Sequence, residues 1–212
     1  MSHAIRIHAY GGLDVLRWEP HDPGEPGRGE VLIRQTAVGL NFIDVYERTG
    51  LYPNPLPAGL GREAAGVVEA VGPGVRGVAA GDRVAYVSSQ GGAYAQYRRM
   101  PAARVVAIPE GVSDRLAAAA MLKGLTAQFL LRRTHRVKRG DAVVVHAAAG
   151  GVGLIALQWA RHLGATVIGV VGSDAKAEVA RAHGCQHTLV LGRDDLPARV
   201  REITGGRGAD VV

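Results

Sequence analysis

The stretch that decides the fold is Val143-Val144-Val145-His146-Ala147-Ala148-Ala149-Gly150-Gly151-Val152-Gly153, an apolar run that enters a glycine-rich turn and then a helical segment. Aligned with GxGxxG, it places Ala148, Gly150 and Gly153 at the three glycine positions. Gly150 would let the backbone approach a pyrophosphate, and Gly153 would let the helix pack closely on the strand. Because alanine replaces the first glycine, the turn alone is a weak signal. The strand before it, the helix after it and a second strand ending about twenty residues later favour nucleotide binding over a merely structural turn.

Around this turn, strand and helix patterns alternate through the second half of the chain. Ser113 is positioned to cap a helix that runs to about Arg132. Further helices are expected at residues 151–163, 174–183 and 195–204, and strands at 142–147, 166–171, 187–191 and 209–212. Near-continuous apolar strands that alternate with helices predict a doubly wound parallel sheet, an α/β fold. A complete dinucleotide-binding sheet has six strands, so we expect the chain to be incomplete at its C-terminus.

The first half has short apolar runs between clusters of Gly and Pro, which is typical of a β-rich domain with tight connections. Loops are expected at residues 20–29, 52–61 and 72–81, and one short helix at 42–48. The predicted strands lie at residues 5–8, 31–38, 65–71, 82–86, 93–97 and 105–108. The predicted domains are therefore 1–112, which is β-rich, and 113–212, which binds a nucleotide.

Composition and charge narrow the class of protein. The formal net charge of +6 favours anionic ligands such as phosphates, and it would also permit weak, salt-sensitive nucleic-acid binding. Cys185 is the only cysteine, which excludes an intrachain disulfide framework and a four-thiolate structural zinc site. No apolar stretch is long enough to span a bilayer, and the N-terminus has no signal-peptide core. We expect a cytoplasmic protein without a membrane partner.

The end of the second strand indicates which dinucleotide is bound. NAD-binding proteins place an acidic residue there for the ribose 2′-hydroxyl, but this position falls at Val171, followed by Gly172. Lys176 lies one turn into the next helix, where its ammonium could reach a 2′-phosphate, and Ser173 could add a hydroxyl donor. Asp174 is evidence against NADPH, because a carboxylate near this position could repel a 2′-phosphate. The helix dipole, however, also explains a carboxylate in the first turn of a helix. The pattern favours NADPH over NADH, with a solvated surface role for Lys176 as the alternative.

Several separate motifs, in order along the chain, resemble the quinone oxidoreductases of the zeta-crystallin type in the medium-chain dehydrogenase/reductase superfamily. The resemblance covers the whole chain and rests on the motifs Asn41-Phe42-Ile43-Asp44-Val45-Tyr46, Gly50-Leu51-Tyr52-Pro53, Gly59-Leu60-Gly61-Arg62-Glu63-Ala64-Ala65-Gly66, Lys123-Gly124-Leu125-Thr126 and the glycine turn. It implies a GroES-like substrate domain, a Rossmann cofactor domain and a cleft between them that holds NADPH. It also implies that complete members run further, finish the sheet and form homodimers.

The resemblance assigns residues to sites. Asn41, Tyr46 and Tyr52 would line the acceptor site as the catalytic residues, although the tyrosines could instead be packing residues with hydrated hydroxyls. The implied cofactor-binding residues are Asn41, Lys123, Thr126, Ala149, Gly150, Gly151, Val152, Gly153, Ser173 and Lys176. The metal-dependent alcohol dehydrogenases hold zinc through Cys and His at positions that here correspond to Asn41 or its neighbours and Arg62, so no metal is expected. Leu191 stands where the family tends to have a Tyr under the adenine.

The implied activity is NADPH-dependent reduction of quinones without zinc. An NADPH-dependent reductase of enone or 2-alkenal double bonds uses the same fold and cofactor and stays open as an alternative. A non-catalytic, crystallin-like role or binding to AU-rich RNA is a third interpretation, ranked last because the sequence has no aromatic-basic RNA motif. A metal site is one interpretation of the cluster His183-Gly184-Cys185-Gln186-His187. The pattern favours instead the end of a helix with histidines on the surface.

Overall fold

The computed structural model describes residues 2–212, which divide into two compact units, the first ending at Leu122 and the second beginning at Lys123. The division lies inside a single helix, ten residues beyond the boundary predicted from the sequence. Each unit has its own apolar core of buried side chains. No helix among the described residues is both long enough and apolar enough to cross a membrane.

The first unit is built from two antiparallel sheets, one short helix and the beginning of the longer helix in which the division lies. Its elements are β1 (Ser2–Ile7), β2 (Arg17–His21), β3 (Glu30–Gly39), α1 (Phe42–Thr49), β4 (Ala58–Gly59), β5 (Glu63–Val71), β6 (Arg83–Val87), β7 (Tyr97–Pro101) and β8 (Val105–Ala107). The sheet orders are β2-β1-β4 and β7-β3-β5-β6-β8. Buried residues of the larger sheet, among them Val31, Ile33 and Val84, fill the core of this unit. The predicted β-rich first domain is confirmed.

The second unit follows the predicted alternation closely. After α2 (Asp114–Phe129) and a π-helical turn, Leu130–Thr134, come β9 (Ala142–His146), α3 (Gly151–His162), β10 (Thr166–Val171), α4 (Asp174–Ala182), β11 (His187–Val190) and α5 (Leu196–Ile203). The strands form a parallel sheet in the order β11-β10-β9. Val143 and Val211 form one parallel bridge on the other side of β9, where the sequence predicts the start of another strand.

Three expectations for the first unit were wrong in detail. The short strand β4, Ala58–Gly59, lies within the predicted loop at residues 52–61. The strand predicted at residues 93–97 lies instead at Tyr97–Pro101. The residues before Tyr97 do not continue its ladder: Ala95 forms a single antiparallel bridge with Ala4 of β1, and the Gln35 amide donates to the carbonyls of Ala93 at 3.0 Å and Ala95 at 2.6 Å. The strand β2 extends into the predicted loop at residues 20–29. Pro20 is compatible with β2 because this strand lies at the edge of its sheet, where a missing N–H leaves no ladder bond unmade.

Candidate functional site

The glycine-rich turn has the close backbone packing that the sequence predicts. It leaves β9 at His146 and enters α3 at Gly151, with Ala147 in the left-handed region at a φ of 49°. A Cβ on Gly153 would lie 2.4 Å from the Ala147 carbonyl oxygen and 2.8 Å from the Ala148 Cα. Because both of these atoms belong to the backbone, a larger residue at 153 would have to displace the turn.

Lys123 lies against the beginning of α3. A Cβ on Gly151 would be 2.8 Å from the Lys123 Cδ, so the aliphatic part of the lysine side chain covers the first residue of that helix. Thr126 is three residues further along α2. The structure therefore brings Lys123 together with the glycine turn, as the predicted cofactor-binding set requires. A Cβ on the neighbouring Gly124 would meet no atom within 4 Å.

A pocket of about 290 Å³ opens between the glycine turn and the ends of β10 and β11. It is lined by His146, Ala147, Ala149, Gly150, Val170, Val171, Gly172, Lys176 and Leu191, none of which is acidic. Ala149, Gly150 and Lys176 are therefore together, as predicted. The other predicted residues of the turn, Gly151, Val152 and Gly153, line a more apolar pocket of about 380 Å³, which shares His146, Ala147 and Gly150 with the first.

Ser173 does not line either pocket and caps α4 instead. Its side-chain oxygen accepts a hydrogen bond from the backbone N–H of Lys176 at 3.4 Å. Asp174 is the first residue of α4, and its Oδ1 accepts a hydrogen bond from Nη1 of Arg193 at 2.8 Å. The carboxylate of Asp174, which is evidence against NADPH in the sequence, is thus paired with Arg193, which was not among the predicted site residues.

In the first unit, Asn41 is the N-cap of α1 and is buried. Its Nδ2 donates to Oε1 of Glu63 at 2.8 Å, and Oε2 of Glu63 accepts from the backbone N–H of Leu122 at 2.6 Å. Glu63 is fully buried at the start of β5. The predicted acceptor-site amide is therefore held in one orientation by a carboxylate that the sequence analysis did not assign to the site.

Three aromatic rings form a row beside Asn41. Phe42 and Tyr46 lie on successive turns of α1 with their ring centroids 5.1 Å apart, and Tyr46 and Tyr52 are 5.2 Å apart, both in edge-on geometry. The backbone N–H of Tyr52 donates to the Tyr46 carbonyl at 3.1 Å, which ties the two predicted tyrosines together. Phe42 and Tyr52 are exposed, so the row presents an apolar aromatic surface.

Buried charges lie under this surface on the inner side of α1. Oδ2 of Asp44 accepts from the Tyr94 hydroxyl at 2.6 Å and from the backbone N–H of Asn41 at 2.9 Å. Burial raises the pKa of the Asp44 carboxyl, against the opposing effect of the Tyr94 and Asn41 hydrogen bonds. Burial, together with the hydrogen bond to Asp44, also raises the pKa of the Tyr94 hydroxyl. Asp44 thus joins the N-terminal turn of α1 to the segment before β7.

Arg62 stands where the resemblance would place a zinc ligand. Its guanidinium forms an ion pair with Glu47, whose side chain is only 1% exposed, and donates to the carbonyl of Ser89. Oε2 of Glu47 and Nε of Arg62 are buried without a hydrogen-bond partner among the described residues. A guanidinium cannot ligate zinc, so these residues do not fit a catalytic metal at this place.

The described residues contain no group of three or more His, Cys, Asp or Glu side chains arranged to hold a metal ion. In the cluster 183–187, the buried Cys185 thiol contacts the His187 carbonyl oxygen at 3.1 Å, and Nδ1 of His183 bonds to the Val179 carbonyl oxygen at 2.8 Å. These side chains bond to the backbone, which agrees with the interpretation of the cluster as a helix end.

Sequence reasoning missed Glu63, Tyr94 and Arg193 as members of these sites. Glu63 carried a usable signal, because a carboxylate at the head of the apolar run 64–68 must be buried with a partner if the run forms an inner strand. Tyr94 and Arg193 had no such signal. Their partners lie 50 and 19 residues away in the chain, and no local pattern connects them.

Comparisons with known proteins agree with this geometry. Residues 27–110 match the family described as the alcohol dehydrogenase GroES-like domain, and residues 151–212 match the family described as zinc-binding dehydrogenase. A 2-haloacrylate reductase of a Burkholderia species is 50% identical over the whole chain, and a quinone oxidoreductase of Pseudomonas aeruginosa is 48% identical. The chain spans 66% of the length of each of these two relatives.

Among solved structures, an Escherichia coli quinone oxidoreductase complexed with NADPH superposes with a TM-score of 0.95 at 46% identity. The match covers 99% of this chain and 65% of that protein. It includes both units, so the likeness extends beyond the glycine turn.

Proposed function

The chain belongs to the quinone oxidoreductase family of the medium-chain dehydrogenase/reductase superfamily, and on that premise we propose that it takes part in NADPH-dependent reduction of quinones without zinc. The observation that carries the proposal is the pocket beside the glycine turn. Lys176 lines it, and no acidic residue does. A 2′-phosphate would therefore meet a cation there, where an NAD-binding site would present a carboxylate.

The residues of the second unit fit a dinucleotide. The N-cap of α3 is Gly150, which has no side chain to accept from the first amides of the helix, so those N–H groups are available to a pyrophosphate. A Cβ on Gly172 would meet nothing within 4 Å, which leaves open space along the lining of the pocket. Leu191 supplies an apolar wall for the adenine. When bound, NADPH supplies the reducing equivalents.

In the first unit, the aromatic row supports an acceptor site. A quinone needs a flat apolar surface against its ring and a hydrogen-bond donor for the oxygen on which negative charge develops. Phe42, Tyr46 and Tyr52 offer the surface, and the two tyrosine hydroxyls are the donors. We assign to Asn41 the role of fixing the start of α1, because its amide donates to Glu63. Arg62, paired with Glu47, supports chemistry without zinc.

The enone interpretation stays as a second candidate because the relative at 50% identity is a 2-haloacrylate reductase, and a 2-haloacrylate contains an activated carbon–carbon double bond. The same aromatic surface and hydroxyl donors would suit an enone oxygen. A homodimer, which the resemblance implies, and a cytoplasmic location, which the single cysteine favours, also stay proposals.

The test is a fluorescence titration of the protein with NADPH and with NADH, followed by turnover with benzoquinone and with a haloacrylate. Lys176→Gln should weaken NADPH binding by about 10-fold or more, since a charge-assisted hydrogen bond contributes about 1.5–3 kcal/mol. It should leave NADH binding nearly unchanged. Lys138→Gln, on the turn before β9 and outside the pocket, is the matched control.

Faster NADPH oxidation with benzoquinone than with the haloacrylate would support the quinone proposal, and the reverse order would favour the double-bond reductase. A protein that binds neither cofactor, or that binds NADPH and reduces neither acceptor, would overturn the proposed function.

A further inference from the structure

A surface ion pair, Asp174 with Arg193, joins two loops that also carry the pocket residues Gly172 and Leu191, each two residues earlier in the chain. Asp174 begins α4, and Arg193 follows β11 by three residues, so the two come from the loops after neighbouring parallel strands. Nη1 of Arg193 lies 2.8 Å from Oδ1 of Asp174, and its Nε lies 3.8 Å from Oδ1 of Asp194. The Arg193 guanidinium is a permanent cation, as every arginine is, and the hydrogen bond to Asp174 raises its pKa further.

The loop that carries Arg193 is firmly placed. The backbone N–H of Leu191 donates to the Val171 carbonyl at 2.8 Å, which fixes the exit of β11 against the exit of β10. The turn closes as the Val190 carbonyl accepts from the N–H of Arg193 at 3.1 Å, with Gly192 at a φ of 82°. Oδ2 of Asp194 accepts from the backbone N–H of Val190 at 2.6 Å, so this carboxylate is already engaged. Arg193 thus belongs to an ordered turn, two residues after the pocket residue Leu191.

The pair is exposed, with side-chain exposures of 57% for Arg193 and 75% for Asp174. An exposed ion pair contributes little to stability, so its guanidinium can exchange one anion for another at small cost. A ribose 2′-phosphate carries more charge than a carboxylate and offers three oxygens to the planar donor fork of an arginine. In the free protein, the same arginine neutralises the carboxylate that would repel such a phosphate.

We propose that Arg193 is a specificity-determining residue for the phosphorylated cofactor. It neutralises Asp174 in the free protein and donates directly to the 2′-phosphate in the complex, next to Lys176. This inference rests on the proposed function and goes beyond it, because it assigns a second cation, from a different loop, to the choice between NADPH and NADH.

The experiment measures dissociation constants of NADPH, NADH and 2′,5′-ADP for the wild-type protein and its variants. Arg193→Ala should weaken NADPH and 2′,5′-ADP by about 10-fold and change NADH by less than about 2-fold. In the Asp174→Ala background, Arg193→Ala should still weaken NADPH, because the direct contact does not depend on the carboxylate. Arg199→Ala is the matched control, since Arg199 is an exposed arginine paired with Glu202 on α5.

If Arg193→Ala leaves the NADPH to NADH ratio at the wild-type value, the proposal is overturned while the proposed function stands. A loss that disappears in the Asp174→Ala background would also overturn the direct contact, because Arg193 would then act only by neutralising Asp174. If the wild-type protein binds neither cofactor, the proposed function fails and this inference fails with it.

Discussion

The Tyr94 hydroxyl donates a 2.6 Å hydrogen bond to Oδ2 of Asp44, and this contact joins two segments 50 residues apart beneath the aromatic surface of α1. The same oxygen accepts from the backbone N–H of Asn41, so the first turn of α1 and the segment before β7 share one buried carboxylate. Oδ1 of Asp44 has no hydrogen-bond partner among residues 2–212. Asp44 therefore depends strongly on the few donors that reach it.

Tyr94→Phe should lower the free energy of unfolding by about 1–3 kcal/mol, because it removes a donor from a buried carboxylate that has few others. Urea denaturation followed by circular dichroism measures the change. Tyr97→Phe is the control, since the Tyr97 hydroxyl makes no hydrogen bond with any described residue. Equal stabilities of the two variants would show that the Tyr94 contact does not hold the helix.

The ion pair of the buried Glu47 and the mostly buried Arg62 gives the second prediction. Arg62→Met should destabilise the protein by about 3–5 kcal/mol, because it leaves Glu47 charged, buried and without its cation. Replacing both residues, as Glu47→Leu with Arg62→Met, should recover most of that loss, since a buried ion pair and a well-packed apolar pair have similar free energies. Denaturant unfolding of the single and double variants makes the comparison.

An exposed pair provides the control for this cycle. Arg34 and Glu69 are 3.3 Å apart with side chains about half exposed, and Arg34→Met should cost less than about 1 kcal/mol. The double variant could instead be as unstable as Arg62→Met alone. The loss would then come from the missing packing of Arg62 and not from the unpaired charge of Glu47.

The two glycines Gly153 and Gly124 should respond to alanine in opposite ways. Gly153→Ala forces a Cβ to within 2.4 Å of the Ala147 carbonyl oxygen, and such overpacking should cost about 1–3 kcal/mol and weaken NADPH binding. Gly124→Ala meets no atom within 4 Å in the middle of α2 and should raise stability by up to about 1 kcal/mol. Thermal unfolding and NADPH titration of both variants separate the effects.

If NADPH occupies the open space beside Gly124, Gly124→Ala should bind NADPH more weakly in spite of its higher stability. Unchanged binding would mean that NADPH does not occupy the space beside Gly124. Neutral behaviour of Gly153→Ala would contradict the close packing at the turn.

The second unit was predictable because its signals are local. The strand predicted at 142–147 lies at Ala142–His146, and the helix predicted at 151–163 lies at Gly151–His162, since an apolar run, a glycine turn and a helical period are read within about twenty residues. The first unit was predictable as β-rich, but the register near Tyr97 was not. Ala95 forms a bridge with Ala4 of β1 and accepts from the Gln35 side chain, 60 residues away, so contacts distant in sequence set where that strand begins.

In the candidate site, too, some residues could be predicted from local sequence and others could not. Gly150, Gly153 and Lys176 follow from a turn whose geometry depends on neighbours in sequence. The partners that orient the predicted residues, such as Glu63 for Asn41 and Arg193 for Asp174, depend on which strands lie side by side. A single sequence carries the first kind of information directly and the second kind only through the completed fold.

Asp114 provides a prediction about pH. Its Oδ2 accepts from the Thr36 hydroxyl at 2.5 Å, and its Oδ1 accepts from Nε of Arg83 at 2.9 Å. The Thr36 hydrogen bond, with a smaller contribution from Arg83, lowers the pKa of the Asp114 carboxyl below its ordinary value of 3.8, although burial opposes the change. A lowered pKa in the folded state means that ionised Asp114 stabilises the fold above pH 3.8, and that this stabilisation is lost as the pH falls through the lowered pKa.

Asp114→Asn should therefore be less stable than the wild-type protein at pH 7, by about 1 kcal/mol. The difference should stay constant down to about pH 4 and shrink below it, because the wild-type carboxyl then takes up a proton and loses its advantage. Urea denaturation at a series of pH values measures the difference directly. Thr36→Val should show a smaller deficit with the same pH dependence, since it removes the largest cause of the lowered pKa but leaves Arg83 in place. A deficit of Asp114→Asn that is the same at pH 7 and pH 3 would mean that the side chain stabilises α2 by packing and not by its charge.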